Sequence, residues 1–589
     1  MRTACALAIF CALSSASAAT PPAASDEHQR FRAFLDEEWD WTMREEPIFA
    51  TNVGDSRFDD KLPDRSFAAI ERNKAHRRDS VKRLERIDRK RLTRDEQLSY
   101  DLFLRDARLD VEGQRFPEEL LVLDKMGGVQ DVLVDLAQQI PRRNTQDFDH
   151  FLARIDAYPK LVDENIALLK KGLERGVTPP RVTLEKVSET IANVISDDPA
   201  KSPIYQLGFA QLPPSIPPAE AARLQAAAKR AIAEHVTPAL RAFQKFVVDQ
   251  YVPHARTTLG MSALPDGAAW YAYRARVSTT TDLSPARIHE LGVSEVARIG
   301  AEADQTMRAT GWKGSKDEFA RFLRTDPRFF FTDKEALLTG YRDIAKRIDP
   351  ELARLFGRLP RLPYGVRAVP SHDEKVQTTA YYLQGSMENA RPGWFYANTY
   401  DLKSRPKWEM EALTLHEAVP GHHLQISIAQ ELGELPKFRR NGFYTAFVEG
   451  WGLYAESLGG ELGMFKDPYS KFGAEQYEMW RAIRLVVDTG IHAQGWTRQQ
   501  AIDYFRAHST KALHDIEVEV DRYISWPGQA LAYKIGQLKI RELRTRAEKQ
   551  LGARFDVRAF HDVVLGGGAL PLDVLEARVD EWLRAQTKS

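Results

Sequence analysis

Apolar residues recur at three- and four-residue spacing along most of this chain, while strand-type sequence collects in one window, 361–400. That distribution restricts the fold to a mainly α body with one small sheet. Amphipathic helical patterning fills 27–110, where Phe34, Leu35, Trp39 and Trp41 and then the segment 67–84 alternate with charged runs. A Pro-rich break at 212–218 precedes an Ala-rich helix expected over 219–250. Ser284-Pro285 supplies an N-cap and an N1 proline, so a further helix is expected from there to about 310. Strands are expected at 364–369, 376–383 and 393–399, where aromatic and β-branched residues dominate. Helices resume over 406–430, 443–459, 470–494, 497–508 and 527–549, with Thr497 and Pro527 as starts. No fixed-period repeat is present, which argues against a solenoid.

Composition narrows the class of partner. The 589 residues carry 83 Lys+Arg and 83 Asp+Glu, so the formal net charge is zero. Nucleic acid or an anionic membrane would ask for a basic excess. Both cysteines, Cys5 and Cys11, lie near the start. There Arg2, an apolar run over 4–13 and Ala16-Ser17-Ala18 read as a signal peptide over 1–18, cleaved after Ala18. The mature chain then has no cysteine, which excludes disulfides and cysteine catalysis. Residues 19–26 read as a disordered lead, 27–218 as an N-terminal helical lobe and 219–589 as a second lobe containing the sheet. An exported, periplasmic protein with no stable membrane insertion is expected.

Three of the fourteen histidines fall in His416-Glu417-Ala418-Val419-Pro420-Gly421-His422-His423. A zinc-peptidase helix carries H-E-x-x-H, with the histidines at i and i+4 holding Zn²⁺ and the glutamate acting as general base. Here the later histidines stand at i+6 and i+7. On an ideal helix i+6 is turned about 120° from i, and i+7 lies about 10 Å further along the axis. Neither could share an ion with His416 unless the helix breaks. Pro420-Gly421 is such a breaker, and it predicts that the chain loops out and swings His422, in preference to His423, back toward His416. The alternative is a surface histidine cluster beside a Pro-Gly turn.

A third ligand should lie nearby, because hydrolytic zinc sites use three protein ligands and one open position. Glu449 and Glu456 lie on a segment otherwise apolar or small, and a buried carboxylate needs a cation. Glu449 is the expected ligand, with glycines at 450 and 452 allowing close helix approach, and Glu456 is expected to orient a ligand histidine. A salt bridge to arginine would also explain either residue. Glu417 is the expected general base for water activated by one Zn²⁺ ion. For the oxyanion donor two segments are candidates. Arg481, Arg484, Asp488 and His492 lie on one helical stripe, where Asp488 could fix the tautomer of His492; a solvated ion-pair ladder is the alternative. The turn from Asp521 to Gln529 could instead present the Tyr523 hydroxyl or an arginine. Residues 393–399 are expected to form an exposed edge strand that pairs with an extended peptide, with Arg391 and Asn398 either touching substrate or bracing the sheet.

HEAVPGHHLQ at 416–425, preceded by RPGWFYANT at 391–399 and followed by Glu449-Gly450-Trp451-Gly452, the 480–496 helix and 522–529, resembles the bacterial family termed domain of unknown function 885. The resemblance covers most of the mature chain. It implies a mainly α, two-lobed, zincin-like metallopeptidase body of gluzincin type, with one small antiparallel sheet beside the zinc helix. It supplies no substrate. The order of parts is also similar to aminopeptidase N relatives, through Gly385-Ser386-Met387-Glu388-Asn389 and Glu449-Gly450. Dipeptidyl peptidase III likewise carries extra residues between its zinc histidines. Together these features predict a secreted zinc-dependent metallopeptidase acting on peptides. The other readings are an inactive peptide-binding scaffold and a metal-dependent hydrolase of a non-peptide amide or ester.

Overall fold

The computed structural model describes residues 25–588, apart from 371–373, 375–376, 388–389 and 434. The expected signal peptide over 1–18 and most of the expected lead lie outside these residues, and a first helix, α1 (Ser25–Glu45), already includes 25 and 26. Among the described residues the protein is mainly helical, with one three-stranded sheet. No described helix is long and apolar enough to cross a membrane.

The long helix α2 (Thr145–Arg175) starts at an Asn144 cap and ends at Gly176, whose φ of 66° suits a residue without Cβ. Its apolar face anchors a cluster that includes Phe148, Phe151 and Phe209. The prolines at 212–218 turn the chain, and Pro218 opens α3 (Pro218–Ala231), which packs back onto α2. Leu224, Ala228, Ile232, Leu240 and Phe243 therefore bury in the same cluster, which continues to Ala255. The expected lobe division at 218 thus falls inside one packed core, because those prolines start a returning helix instead of a linker.

The larger core gathers residues from the C-terminal half. Ser284 caps α4 (Pro285–Ala309) by accepting from Arg287 N, as its sequence predicts. After α5 (Lys334–Ile348) come β1 (Tyr364–Ala368), β2 (Ala380–Leu383) and β3 (Gly393–Ala397). The sheet order is β1-β3-β2. β1 runs parallel to β3, with Val366 opposite Phe395, and β2 runs antiparallel to it, with Tyr381 opposite Tyr396. The sheet is mixed and not antiparallel, because β1 and β2 pair with opposite edges of β3 and not with each other. β3 is consequently central. Both its edges are bonded, so it is not the exposed edge strand expected to hold a peptide. The sheet lies against α5 through Tyr341 and Phe395, whose ring centroids are 5.0 Å apart.

The remaining helices surround the histidine string at 416–423: α6 (Met410–Glu417), α7 (His422–Gln430), α8 (Thr445–Ser457), α9 (Pro468–Gln494), α10 (Leu513–Ser525) and α11 (Ala532–Leu551). Thr497 is an N-cap as expected, whereas α11 begins five residues after Pro527, because Gly528 adopts a φ of 83° and holds a turn there. Helices α8 and α11 touch backbone to backbone: a Cβ on Gly536 would lie 1.8 Å from Ala446 O and 2.7 Å from Gly450 Cα. Gly536→Ala should therefore force these helices apart and lower stability by about 1–3 kcal/mol, read by thermal denaturation. Gly433→Ala, at a position with open space around it, is the control that should leave the melting temperature unchanged.

Candidate metal centre

Helix α6 stops at Glu417, and α7 restarts at His422. Between them Ala418 leaves the helical region with φ −96° and ψ −111°. Gly421 lies directly under the preceding turn, where a Cβ would be 1.9 Å from His416 O and 2.4 Å from Leu415 O. Only glycine fits there. The buried Trp451 of α8 fastens the loop by donating its indole N–H to Pro420 O at 2.8 Å. The looped-out segment brings the His416 and His422 rings to a centroid distance of 4.7 Å at an interplanar angle of 82°. Gly452 of α8 floors the His416 ring, since a Cβ there would be 2.7 Å from its Cε1.

Glu449, from the same face of α8, completes a cluster. Its Oε2 is 3.6 Å from His416 Nε2 and 3.4 Å from His422 Nε2. All three potential ligand atoms lie within 4.8 Å of one another. His416 Nδ1 is 2.8 Å from Glu456 Oε1, and Arg481 Nη2 is 3.1 Å from the same oxygen. That contact turns His416 Nε2 toward Glu449. Three potential ligand atoms converge in a buried space, and Glu449 Oε2 makes no hydrogen bond. Such a convergence is suited to a cation. Tetrahedral Zn–ligand bonds of about 2.0–2.1 Å put neighbouring donors about 3.3 Å apart, so the donor set and spacing fit Zn²⁺.

The electrostatics agree with a cation-seeking site. Burial opposes ionisation of Glu449, but the His416 and His422 imidazoles outweigh it and hold the carboxyl well below the usual range. Burial likewise disfavours a charged His416, yet Glu449 and Glu456 raise it to about 9. Glu417 is 7% exposed, and burial pushes its carboxyl upward against the pull of the two imidazoles. It is a carboxylate that gains by accepting a proton.

The expected residues divide clearly. His416, His422 and Glu449 come together, with Glu417 adjacent and Glu456 behind His416. His423 does not join them: its Nε2 donates to Leu362 O at 3.0 Å, and its Nδ1 faces the Tyr382 hydroxyl at 2.9 Å. His492 is not an oxyanion donor. Its Nδ1 accepts from Met261 N and its Nε2 donates to Tyr523 O, so a fully buried ring, depressed to about 3 by burial, has no free nitrogen. Nor does Asp488 orient it. Asp488 accepts from the Tyr271 hydroxyl at 2.6 Å and from Gly528 N. The Tyr523 hydroxyl, expected in a cleft, is also fully buried and accepts from Trp480 Nε1 at 2.9 Å and Arg484 Nε at 3.0 Å. The stripe from Arg481 to His492 is buried throughout, which excludes a solvated ladder.

Asn398 braces the sheet connection by donating to Glu374 O, Gln377 O and Thr378 O. Arg391 donates to Gln139 O and Asn52 O and ties the strand region to the N-terminal helices. Of the string from Gly385 to Asn389, Glu388 and Asn389 lie outside the described residues. Sequence reading missed Tyr533. Its ring lies nearly parallel to His416 at 6.3 Å, and its hydroxyl accepts from Arg522 Nη2 at 3.1 Å. Only its place on the helix after the Pro527-Gly528 turn could have pointed to it.

Residues 47–579 match the model of a family described as "Bacterial protein of unknown function (DUF885)". The chain belongs to that family. The match contains every residue of the cluster. The solved structure of "the putative lipoprotein from Colwellia psychrerythraea" is similar at 28% identity and a TM-score of 0.89, covering 95% of this chain and 99% of that one. "A putative lipoprotein of unknown function from Shewanella oneidensis" shares the fold, at 18% identity and a TM-score of 0.68, over 94% of this chain and 99% of that one. The comparison with curated proteins gives no match. No activity is named in these descriptions.

Asp488 offers a test of the corrected assignment. Burial raises its carboxyl to about 7 from an ordinary 3.8. The folded state therefore keeps a proton that the unfolded chain releases between those values, so this residue costs stability as pH rises through that window, with the full cost present above about 7. Relative to wild type, the melting temperature of Asp488→Asn should move upward as pH goes from 4 to 8. A difference independent of pH would refute the assignment.

Proposed function

We propose that the protein is an exported zinc-dependent metallopeptidase of gluzincin type, with His416, His422 and Glu449 as ligands. The observation carrying this reading is the convergence of three buried ligand atoms at coordination spacing, with a buried glutamate immediately beside them on the chain. Zinc bound there would supply Lewis acidity toward a carbonyl and acidify water. Glu417 takes the proton from the attacking water and passes it to the leaving amine. Burial, which favours its protonated form, suits both halves of that transfer. Tyr533, accepting from Arg522 and therefore free to donate its own proton, stabilises the developing oxyanion. Glu456, anchored by Arg481, keeps the His416 ring in its orientation. Export accords with the signal-like residues 1–18 and with the lipoprotein description of the similar structures.

Glu417→Gln preserves shape but not basicity. It should retain one zinc per chain by elemental analysis while cutting a mixed peptide library about 10²–10⁴-fold more slowly than wild type. Equal cutting by both proteins would sink the base assignment; zinc with no cutting by wild type would favour a binding module, and ester turnover alone would favour a non-peptide hydrolase. Glu456→Ala should weaken zinc binding about 10–100-fold in chelator competition, without removing a ligand.

A further inference from the structure

Away from the metal cluster, a cleft of about 1010 Å³ opens between α1 and the C-terminal part of the chain. That volume suits a small organic ligand. Apolar side chains line part of it: Phe31, Leu35 and Trp39 of α1, Phe438, and Leu359, which is 44% exposed. Two arginines line it as well, Arg439, only 4% exposed, and Arg578 of a C-terminal helix, α13 (Leu572–Lys588).

The two guanidiniums flank one glycine. Arg439 Nη2 donates to Gly567 O at 2.8 Å, and a Cβ on Gly567 would lie 3.4 Å from Arg578 Nε. Arg578 is held by its inner nitrogen: Nε donates at 2.8 Å to Val563 O, near the end of α12 (Val557–Leu565). Its Nη1 and Nη2 therefore form a free fork, with no hydrogen-bond or ion-pair partner among the described residues. Arg439 donates from Nη1 to Ser99 Oγ at 3.2 Å, and its Nε is buried without a partner. No described carboxylate stands at ion-pair distance from either arginine, because the nearby acids are engaged elsewhere. Glu581 is paired with Arg94, Glu431 with Arg361, and Glu96 with His28 and Arg32. Asp95 acts on both arginines from further off. Burial, together with the charge of Arg578, brings Arg439 down to about 10. Two neighbouring cations, one of them held out of water, are unfavourable unless an anion joins them.

We propose that this cleft binds an organic anion, with its carboxylate or phosphate gripped by the Arg578 fork and its apolar body laid against the α1 wall. The free Nη1–Nη2 edge offers the two parallel donors that such oxygens accept. Arg439, across Gly567, adds a fixed charge. Gly566 and Gly567 keep the guanidinium uncrowded, since a Cβ on either would stand 3.4 Å from an Arg578 nitrogen. The proposal is independent of the metallopeptidase reading, because the cleft is lined without His416, His422 or Glu449.

Calorimetry and hydrogen exchange on the wild-type chain test the site with octanoate, octyl phosphate, inorganic phosphate and the neutral octanamide. At least one octyl anion should bind about 10–100-fold more tightly than octanamide, as expected for charged hydrogen bonds. The tighter of the two identifies the headgroup. Inorganic phosphate should bind more weakly than octyl phosphate, since it leaves the apolar wall uncovered. On adding the tighter anion, exchange should slow over 28–41 in α1 and over 563–568 at the end of α12. Arg578→Ala should weaken that anion about 10-fold, the loss of a charged contact. Three results overturn the proposal: octanamide binding as tightly as both anions, no binding by either anion, or exchange slowed at 416–423 with the cleft segments unchanged. A folded Arg578→Ala variant with wild-type affinity overturns it too. Exchange is read on the wild type, so the outcome stands even if that variant does not fold.

Discussion

A break of four residues in an otherwise helical segment governs the geometry of the site. Had α6 continued through Pro420, His416 and His422 would point about 120° apart. With 418–421 looped out, the two rings meet nearly at right angles, 4.7 Å apart. The loop is defined by close contacts: Gly421 against the backbone of the preceding turn, and the Trp451 indole on Pro420 O. Because Trp451 also belongs to α8, the helix that pins the loop is the one that delivers Glu449 two residues earlier. Placement of Glu449 and loop shape are thus coupled through one rigid helix.

Behind the His416–His422–Glu449 cluster, charge is arranged in layers. Glu456 touches His416, Arg481 touches Glu456, and Arg481 lies 4.7 Å over Tyr477 and 4.8 Å over Trp480. Arg484, one turn along α9, lies between Trp480 and Tyr533. Aromatic faces thereby shield arginines from bulk water while stabilising their charge. In such a low-dielectric setting each ionic contact acts more strongly than it would at the surface. The pattern also separates tasks along one helix: 481 meets Glu456 behind His416 and 484 meets Glu519, whereas 488 and 492 hold the Tyr271 and Met261 segments in place.

Much of the fold was legible locally. Caps at Ser284 and Thr497, helices over 470–494 and 497–508, and the three strands follow from periodicity and capping chemistry, which act over a few residues. The sheet's mixed topology was not legible, because strand pairing depends on the path of the connection and not on alternation within a strand. The boundary at 218 was misplaced for a related reason: a proline run marks a turn equally well whether the chain leaves a core or returns to it. His492 shows the limit for the site. Its stripe geometry was read correctly, yet both ring nitrogens are engaged by backbone groups from residues 31 and 231 positions away.

The sequence by itself determined that a mainly helical chain would carry a histidine pair across a forced break, with Glu417 beside it and an acidic, glycine-flanked segment downstream. Those are consequences of residue type and short spacing. Tertiary structure alone decided that β3 is central, that His423 and His492 are braces, and that the Tyr533 ring lies beside His416. Such outcomes depend on which distant helices touch, and α8 meets α11 through Gly450 and Gly536, two residues whose significance is the absence of a side chain.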